Sequence, residues 1–211
     1  MLIASPLYVI CDADACREAG WTLTDFASAC FDGGARLLQI RAKSAPSGQF
    51  LDDARAIVER AVGAQVIVND RADIARLSGA AGVHVGQEDL SPAEVRMMLG
   101  DDTIVGWSTH TPAQLDDACA APISYVAIGP VFETSTKSTG YDALGLEPVR
   151  DAARRTAAHG LPLVAIGGIT LDRAEAILEQ GAQSVAVIRD LLVTDDPAAR
   201  VRAYLRRLSR V

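Results

Sequence analysis

Long apolar runs are missing from the 211-residue sequence, and nothing approaches the roughly 20 consecutive apolar residues that cross a bilayer as a helix. The first residues, Met1-Leu2-Ile3-Ala4-Ser5-Pro6, lack the basic flank of a secretory signal and run straight into a strand-like segment, so no leader peptide is expected. Cysteine pairing signals are absent too. Cys11, Cys16, Cys30 and Cys119 show neither CxxC spacing nor histidine partners, which points to a reduced, cytoplasmic chain. Positive charge is short, with 20 Lys and Arg against 27 Asp and Glu for a net charge of −7. That balance excludes nonspecific binding to nucleic acid or to an anionic membrane. The scarcest basic residue is lysine, which occurs only as Lys43 and Lys137.

What is present is a regular alternation. Apolar runs rich in Val, Ile and Ala occur at Leu7–Asp12, Leu37–Ala42, Val66–Asp70, Gly82–Gln87, Ile104–Thr109, Tyr125–Phe132, Leu163–Ile169 and Ser184–Asp190. Several are continuous and not alternating, as expected of parallel strands buried on both faces. Between them lie helical segments with recognisable ends. Thr24-Asp25 opens one that Gly33 closes, and Ser47 precedes another ending at Gly63. Ser91-Pro92 and Thr111-Pro112 each supply a cap and a proline for the first turn, and Thr170-Leu171-Asp172 opens one closed by Gly181. Further helical stretches lie near Ile74, over Pro148–His159 and over Asp196–Arg210. Eight such units, at about 26 residues each, predict one α/β domain over residues 1–211, a closed (β/α)8 TIM barrel. An open doubly wound sheet is the alternative, but strand one ends in Cys11-Asp12-Ala13-Asp14 and not in GxGxxG.

A barrel does its chemistry at the C-terminal ends of its strands, and both lysines fall just past such ends. Gln39, Arg41 and Lys43 alternate along the second strand and share a face. With Lys137, from the long aperiodic stretch Glu133–Gly145, Arg41 and Lys43 make a strong anion site in an acidic protein. Asp70 and Asp89 follow neighbouring strands. Two carboxylates beside such a site suit Mg2+, although each could simply cap the helix that follows. Gly167-Gly168 ahead of Thr170 reads as a second phosphate seat or as a tight turn, and Thr134, Ser135 and Thr136 could add hydroxyl donors. No nucleophile has an evident base partner. Cys11 and Cys119 read as core and Cys16 as a loop residue, while Trp21 and Trp107 could pack or stack on a ligand. Two anion sites and a divalent ion, with no acid–base pair, suit departure of a metal-bound pyrophosphate and capture of the centre it leaves by a second, phosphorylated substrate.

The blocks QIRAK at 39–43, VND at 68–70, HVGQEDL at 84–90, GWSTH at 106–110, GPVFETSTK at 129–137 and AIGGI at 165–169 resemble the thiamine phosphate synthase (thiamine-phosphate pyrophosphorylase) family, in that family's order and across nearly the whole chain. The resemblance implies condensation of 4-amino-5-hydroxymethyl-2-methylpyrimidine diphosphate with a (carboxy)thiazole ethyl phosphate. The products are thiamine phosphate and pyrophosphate, with carbon dioxide when the thiazole is carboxylated, formed through dissociative loss of pyrophosphate. It implies that Gln39, Ile40, Arg41, Ala42, Lys43, Asn69, Ser108 and Lys137 hold the pyrimidine diphosphate, with Arg41, Lys43 and Lys137 catalytic. Asp70 and Asp89 would hold one Mg2+. Thr134, Ser135, Thr136, Gly168, Ile188 and Arg189 would hold the thiazole phosphate. Arg189 stands where the family commonly has serine, so a hydroxyl donor is lost while the backbone N–H remains and the arginine could contact phosphate itself. The expected partners are small-molecule substrates, with a homo-oligomer possible. Competing readings are a thiazole tautomerase-like isomerase on the same barrel, disfavoured by Pro130 and the intact charged set, and a non-catalytic phosphate-ligand barrel.

Overall fold

The computed structural model describes residues 5–134 and 140–209. Eight strands pair in parallel in chain order and close, β8 returning to β1. The strands are β1 (Leu7–Asp12), β2 (Leu37–Arg41), β3 (Gln65–Asn69), β4 (Gly82–Val85), β5 (Ile104–Thr109), β6 (Tyr125–Ile128), β7 (Leu163–Ile166) and β8 (Ser184–Val187). The helices are α1 (Ala13–Glu18), α2 (Leu23–Asp32), α3 (Ser47–Arg60), α4 (Ala72–Ser78), α5 (Pro92–Leu99), α6 (Pro112–Ala120), α7 (Leu146–Ala158), α8 (Leu171–Leu178) and α9 (Pro197–Leu208), with a 3-10 turn over Arg189–Leu192. None of the described helices is long and apolar enough to cross a membrane.

The continuous apolar runs have a direct cause. Alternate residues of one strand serve two different interiors. Leu7, Val9 and Cys11 of β1 face the helices, with Leu38 and Ile40 of β2 in the same layer. Tyr8 and Ile10 point into the lumen, where they meet Leu37, Ile67, Ile104, Tyr125, Val164 and Ala186. Several helix starts are fixed by side chains that accept otherwise orphaned N–H groups. Ser91 and Glu94 form a reciprocal capping box on α5, Thr111 caps α6, and Thr22, not Thr24, caps α2.

Several boundaries differ from the sequence expectation. A short helix, α1, follows β1 directly because Asp12 accepts from Ala15 N at 2.9 Å, and Cys16 is therefore a buried helical residue and not a loop residue. Burial, with the Cys30 thiol and the Asp12 carboxylate near it, pushes the Cys16 thiol up to about 12, far from a nucleophile's range. β6 stops at Ile128 because Pro130 has no N–H for the ladder, although Val131 and Phe132 still donate to Ile166 and Gly167 of the neighbouring segment. β8 ends at Val187, where the chain coils into the 3-10 turn.

Candidate active site

All eight strands run the same way round the closed barrel, so every strand's C-terminal end lies on one rim. On that rim, β1 and β2 place Asp12 opposite Arg41. The Arg41 guanidinium donates to Asp12 Oδ2, while Asp12 Oδ1 caps α1. Asp12 is 3 % exposed and the Arg41 side chain 15 % exposed, so the pair is largely desolvated. Next round the rim, Lys43 Nζ sits 3.0 Å from Asp70 Oδ2. Asp70 has φ of 62°, a left-handed conformation uncommon for any residue but glycine and better tolerated by Asp and Asn. Its N–H donates to the His84 carbonyl at 2.8 Å, which holds the turn against β4. Burial raises the Asp70 carboxyl pKa; Lys43 lowers it, and the neighbouring Asp89 carboxylate raises it again. Asp89 is itself held by an N–H···O bond from Gly86 at 2.7 Å.

A second group of polar side chains fills the lumen below this rim. Gln39 Nε2 donates to Tyr8 Oη at 3.1 Å, and Tyr8 Oη lies 2.9 Å from Tyr125 Oη. Tyr125 Oη is 2.9 Å from His84 Nδ1, and His84 Nε2 is 2.8 Å from Ser108 Oγ. Gly106 makes room for the group: a Cβ there would sit 2.1 Å from the Tyr125 ring and 2.5 Å from His84 Nδ1. Asn69 is buried at the end of β3. The Ile40 and Ala42 side chains are buried on the opposite side, among the strand–helix core, so only their backbone faces the rim.

The third group surrounds a cavity of about 300 Å³ lined by Thr134, Gly167, Gly168, Arg173, Ile188 and Arg189. Gly167 and Gly168 have φ of 107° and 61°. A Cβ on Gly168 would meet the Glu133 carbonyl at 2.4 Å and Phe132 Cβ at 2.8 Å, so only glycine lets the chain pass here. Arg173 donates to the Gly168 carbonyl at 3.1 Å, and its guanidinium lies 4.7 Å over the Phe132 ring. The Arg189 guanidinium pairs with Glu18 of α1 at 2.9 Å. Asp190 beside it accepts from Leu171 N, Arg200 and Tyr204, tying the 3-10 turn to α8 and α9. Ser135, Thr136 and Lys137 lie outside the described residues.

The tryptophans pack. Trp107 Nε1 donates to the Gly86 carbonyl at 3.2 Å, and Trp21 meets Phe26 edge-on at 6.3 Å. His110 stacks on Tyr141 at 4.3 Å between ring centres, joining the end of β5 to the segment after residue 140. Asp12, Tyr8, Tyr125, His84 and Arg173 were not singled out from the sequence. Asp12 did carry a signal, as an acidic residue closing an otherwise apolar strand. Tyr8 and Tyr125 look like core aromatics until closure of the barrel brings them together.

The family model for thiamine monophosphate synthase matches residues 7–191. The thiamine-phosphate synthase of Koribacter versatilis is 44% identical over 203 residues, covering 94% of this chain and 93% of that protein. That of Anaeromyxobacter dehalogenans is 43% identical over 181 residues, covering 84% and 80%. The solved structure of thiamine phosphate pyrophosphorylase from Pyrococcus furiosus superposes with a TM-score of 0.86 at 26% identity, over 97% of this chain and 95% of that one.

Proposed function

Because the chain belongs to the thiamine monophosphate synthase family, we propose that the rim described above joins a pyrimidine methylene group to a thiazole nitrogen, with pyrophosphate leaving from the pyrimidine. The observation that carries this reading is the run of charge from Asp12–Arg41 through Lys43–Asp70 to Asp89, on the same rim as a cavity edged by two glycines that tolerate no side chain.

Arg41 and Lys43, with Lys137, take the oxygens of the diphosphate. Arg41 is preset for this by Asp12, which fixes its planar fork before any ligand arrives. Gln39, Asn69 and Ser108 take the polar edges of the pyrimidine diphosphate, while Ile40 and Ala42 contribute backbone only. Asp70 and Asp89 fit a hard divalent cation. Their like charges approach closely enough for Asp89 to raise the Asp70 pKa, and Mg2+ needs only one or two protein carboxylates when phosphate oxygens supply the rest. When bound, one Mg2+ adds positive charge beside the departing diphosphate. The second substrate places its phosphate against Gly168, Thr134 and the backbone of Ile188 and Arg189, with Ser135 and Thr136 adding hydroxyl donors. The Arg189 side chain lines the same cavity and pairs with Glu18, and its guanidinium is a further candidate for that phosphate. Departure of pyrophosphate leaves a cationic pyrimidine methylene, and the thiazole nitrogen closes the new C–N bond. The residues position and stabilise charge; no side chain is asked to form a covalent intermediate.

The test is release of pyrophosphate with both substrates, with and without Mg2+, in the whole chain and in Lys137→Ala. The expected result is Mg2+-dependent release that EDTA abolishes and that Lys137→Ala slows strongly. Full activity in EDTA would remove Asp70 and Asp89 from this role, and full activity in the variant would remove Lys137. Ligand binding without any pyrophosphate would leave a phosphate-binding barrel in place of the enzyme.

A further inference from the structure

Five polar groups in the lumen form one continuous hydrogen-bonded chain, Gln39–Tyr8–Tyr125–His84–Ser108. Its direction follows from counting protons. Tyr8 Oη accepts from the Gln39 amide nitrogen, and a phenol has one proton to give. The other hydrogen-bond partner of that hydroxyl among the described residues is Tyr125 Oη, so the Tyr8 proton goes there. Tyr125 then gives its own proton to His84 Nδ1. A ring nitrogen that accepts carries no hydrogen, so His84 is neutral with its proton on Nε2, and it donates to Ser108 Oγ. The Ser108 oxygen is thereby used as an acceptor toward His84. Its own proton remains to be given outward.

We propose that this one-way chain fixes the Nε2–H tautomer of His84 and makes Ser108 a hydrogen-bond donor to the pyrimidine diphosphate, with Tyr8, Tyr125 and His84 as positioning residues. The proposal rests on the assignment of Ser108 to that substrate under Proposed function. Three features support the chain as a built device. Tyr8 and Tyr125 are 1 % and 0 % exposed, so neither hydroxyl has water to turn to. Burial raises both phenol pKa values, which keeps the protons on the chain. Gly106 is required for Tyr125 and His84 to meet. With His84 charged, its Nδ1–H and the Tyr8 hydroxyl would both aim at Tyr125 Oη and strand the Tyr125 proton in the core. The reverse direction requires the Gln39 amide to present its oxygen to Tyr8. It would put the His84 proton on Nδ1 and turn Ser108 into an acceptor, so the donor character of the two ends is coupled through the lumen.

The experiment is long-range 1H–15N spectroscopy of the 15N-labelled full chain at neutral pH, with His84 assigned by its loss in His84→Gln. The expected result is a single neutral Nε2–H tautomer. Tyr125→Phe removes the donor to Nδ1 and is expected to give a mixture of tautomers. It should lower kcat/KM for the pyrimidine diphosphate about tenfold and leave KM for the thiazole phosphate unchanged. In a Ser108→Ala background the same substitution should cost nothing further. A wild-type Nδ1–H or charged His84 overturns the chain's direction whatever the kinetics, and needs no variant that folds. An Nε2–H tautomer with full kcat/KM in Ser108→Ala overturns the proposal from the other side, because Ser108 then does not serve the substrate. A Tyr125→Phe variant with wild-type tautomer and kinetics overturns the positioning roles.

Discussion

Asp12 acts in two directions, and both depend on its being buried. One oxygen caps α1 and the other holds Arg41. Removing it strands a guanidinium that is only 15 % exposed. Asp12→Ala is therefore expected to cost about 3 kcal/mol, read as a lowered urea midpoint, and to raise KM for the diphosphate substrate. Asp70 behaves in the opposite sense. Its folded pKa lies above the ordinary carboxylate value, so at neutral pH the fold bears an ionised group that it disfavours. Asp70→Asn keeps a side chain suited to φ of 62° and deletes the charge. Its melting temperature is expected to equal or exceed that of the wild type, while the Mg2+ concentration for half-maximal rate rises at least about tenfold. A lower melting temperature would show that the Lys43 pair outweighs burial and Asp89 together. At this scale the sequence was legible at Lys43, one of two lysines in a chain rich in arginine, which meets Asp70 on the rim. Tyr8 and Tyr125 meet through a contact 117 residues apart in sequence, which no local pattern carries.

The β7–α8 connection combines a backbone need with a packing need. Gly168 has both a left-handed φ and a neighbour that would lie 2.4 Å from any Cβ. Gly168→Ala is expected to destabilise by about 2 kcal/mol and to raise KM for the second substrate more than for the first, measured by varying each in turn. Equal effects on both would place the phosphate elsewhere. Beyond β8, Asp190 gathers Leu171 N–H, Arg200 and Tyr204 onto one carboxylate, so the edge of the cavity is braced by two helices. Apart from α1 and the 3-10 turn, element types and order were legible because strand runs and caps repeat. The ends of β6, β7 and β8 were not, because apolar residues continue past the last ladder bond into Pro130, Gly167 and the 3-10 turn, where composition still looks like strand.

Closure of the barrel is the property of the whole molecule, and α9 helps to secure it. β1 and β8 meet at Leu7, Tyr8 and Val9 opposite Val185, Ala186 and Val187. α9 packs against α2 through Gly33, where a Cβ would lie 2.7 Å from the Ala198 carbonyl and 2.8 Å from Val201 Cβ. Gly33 has an ordinary helical φ, so Gly33→Ala tests packing alone. It is expected to cost about 1–3 kcal/mol, seen as a lower thermal midpoint with KM values unchanged. The eightfold alternation makes the cylinder legible in the sequence, since parallel strands with both faces buried have few other arrangements. The polar group in its lumen was hidden for the same reason: the residues that build it sit in runs that otherwise spell apolar interior.

That lumen also limits how the protein can change. Most small barrels fill their centre with interchangeable aliphatic plugs, so a pocket above can be reshaped one position at a time. Here the amide of Gln39 and the hydroxyl of Ser108 answer to each other through three intermediaries. Retargeting the site to a ring with its donors and acceptors exchanged would mean reversing every link at once, and a variant library that alters either end singly should return folded but poorly committed binders.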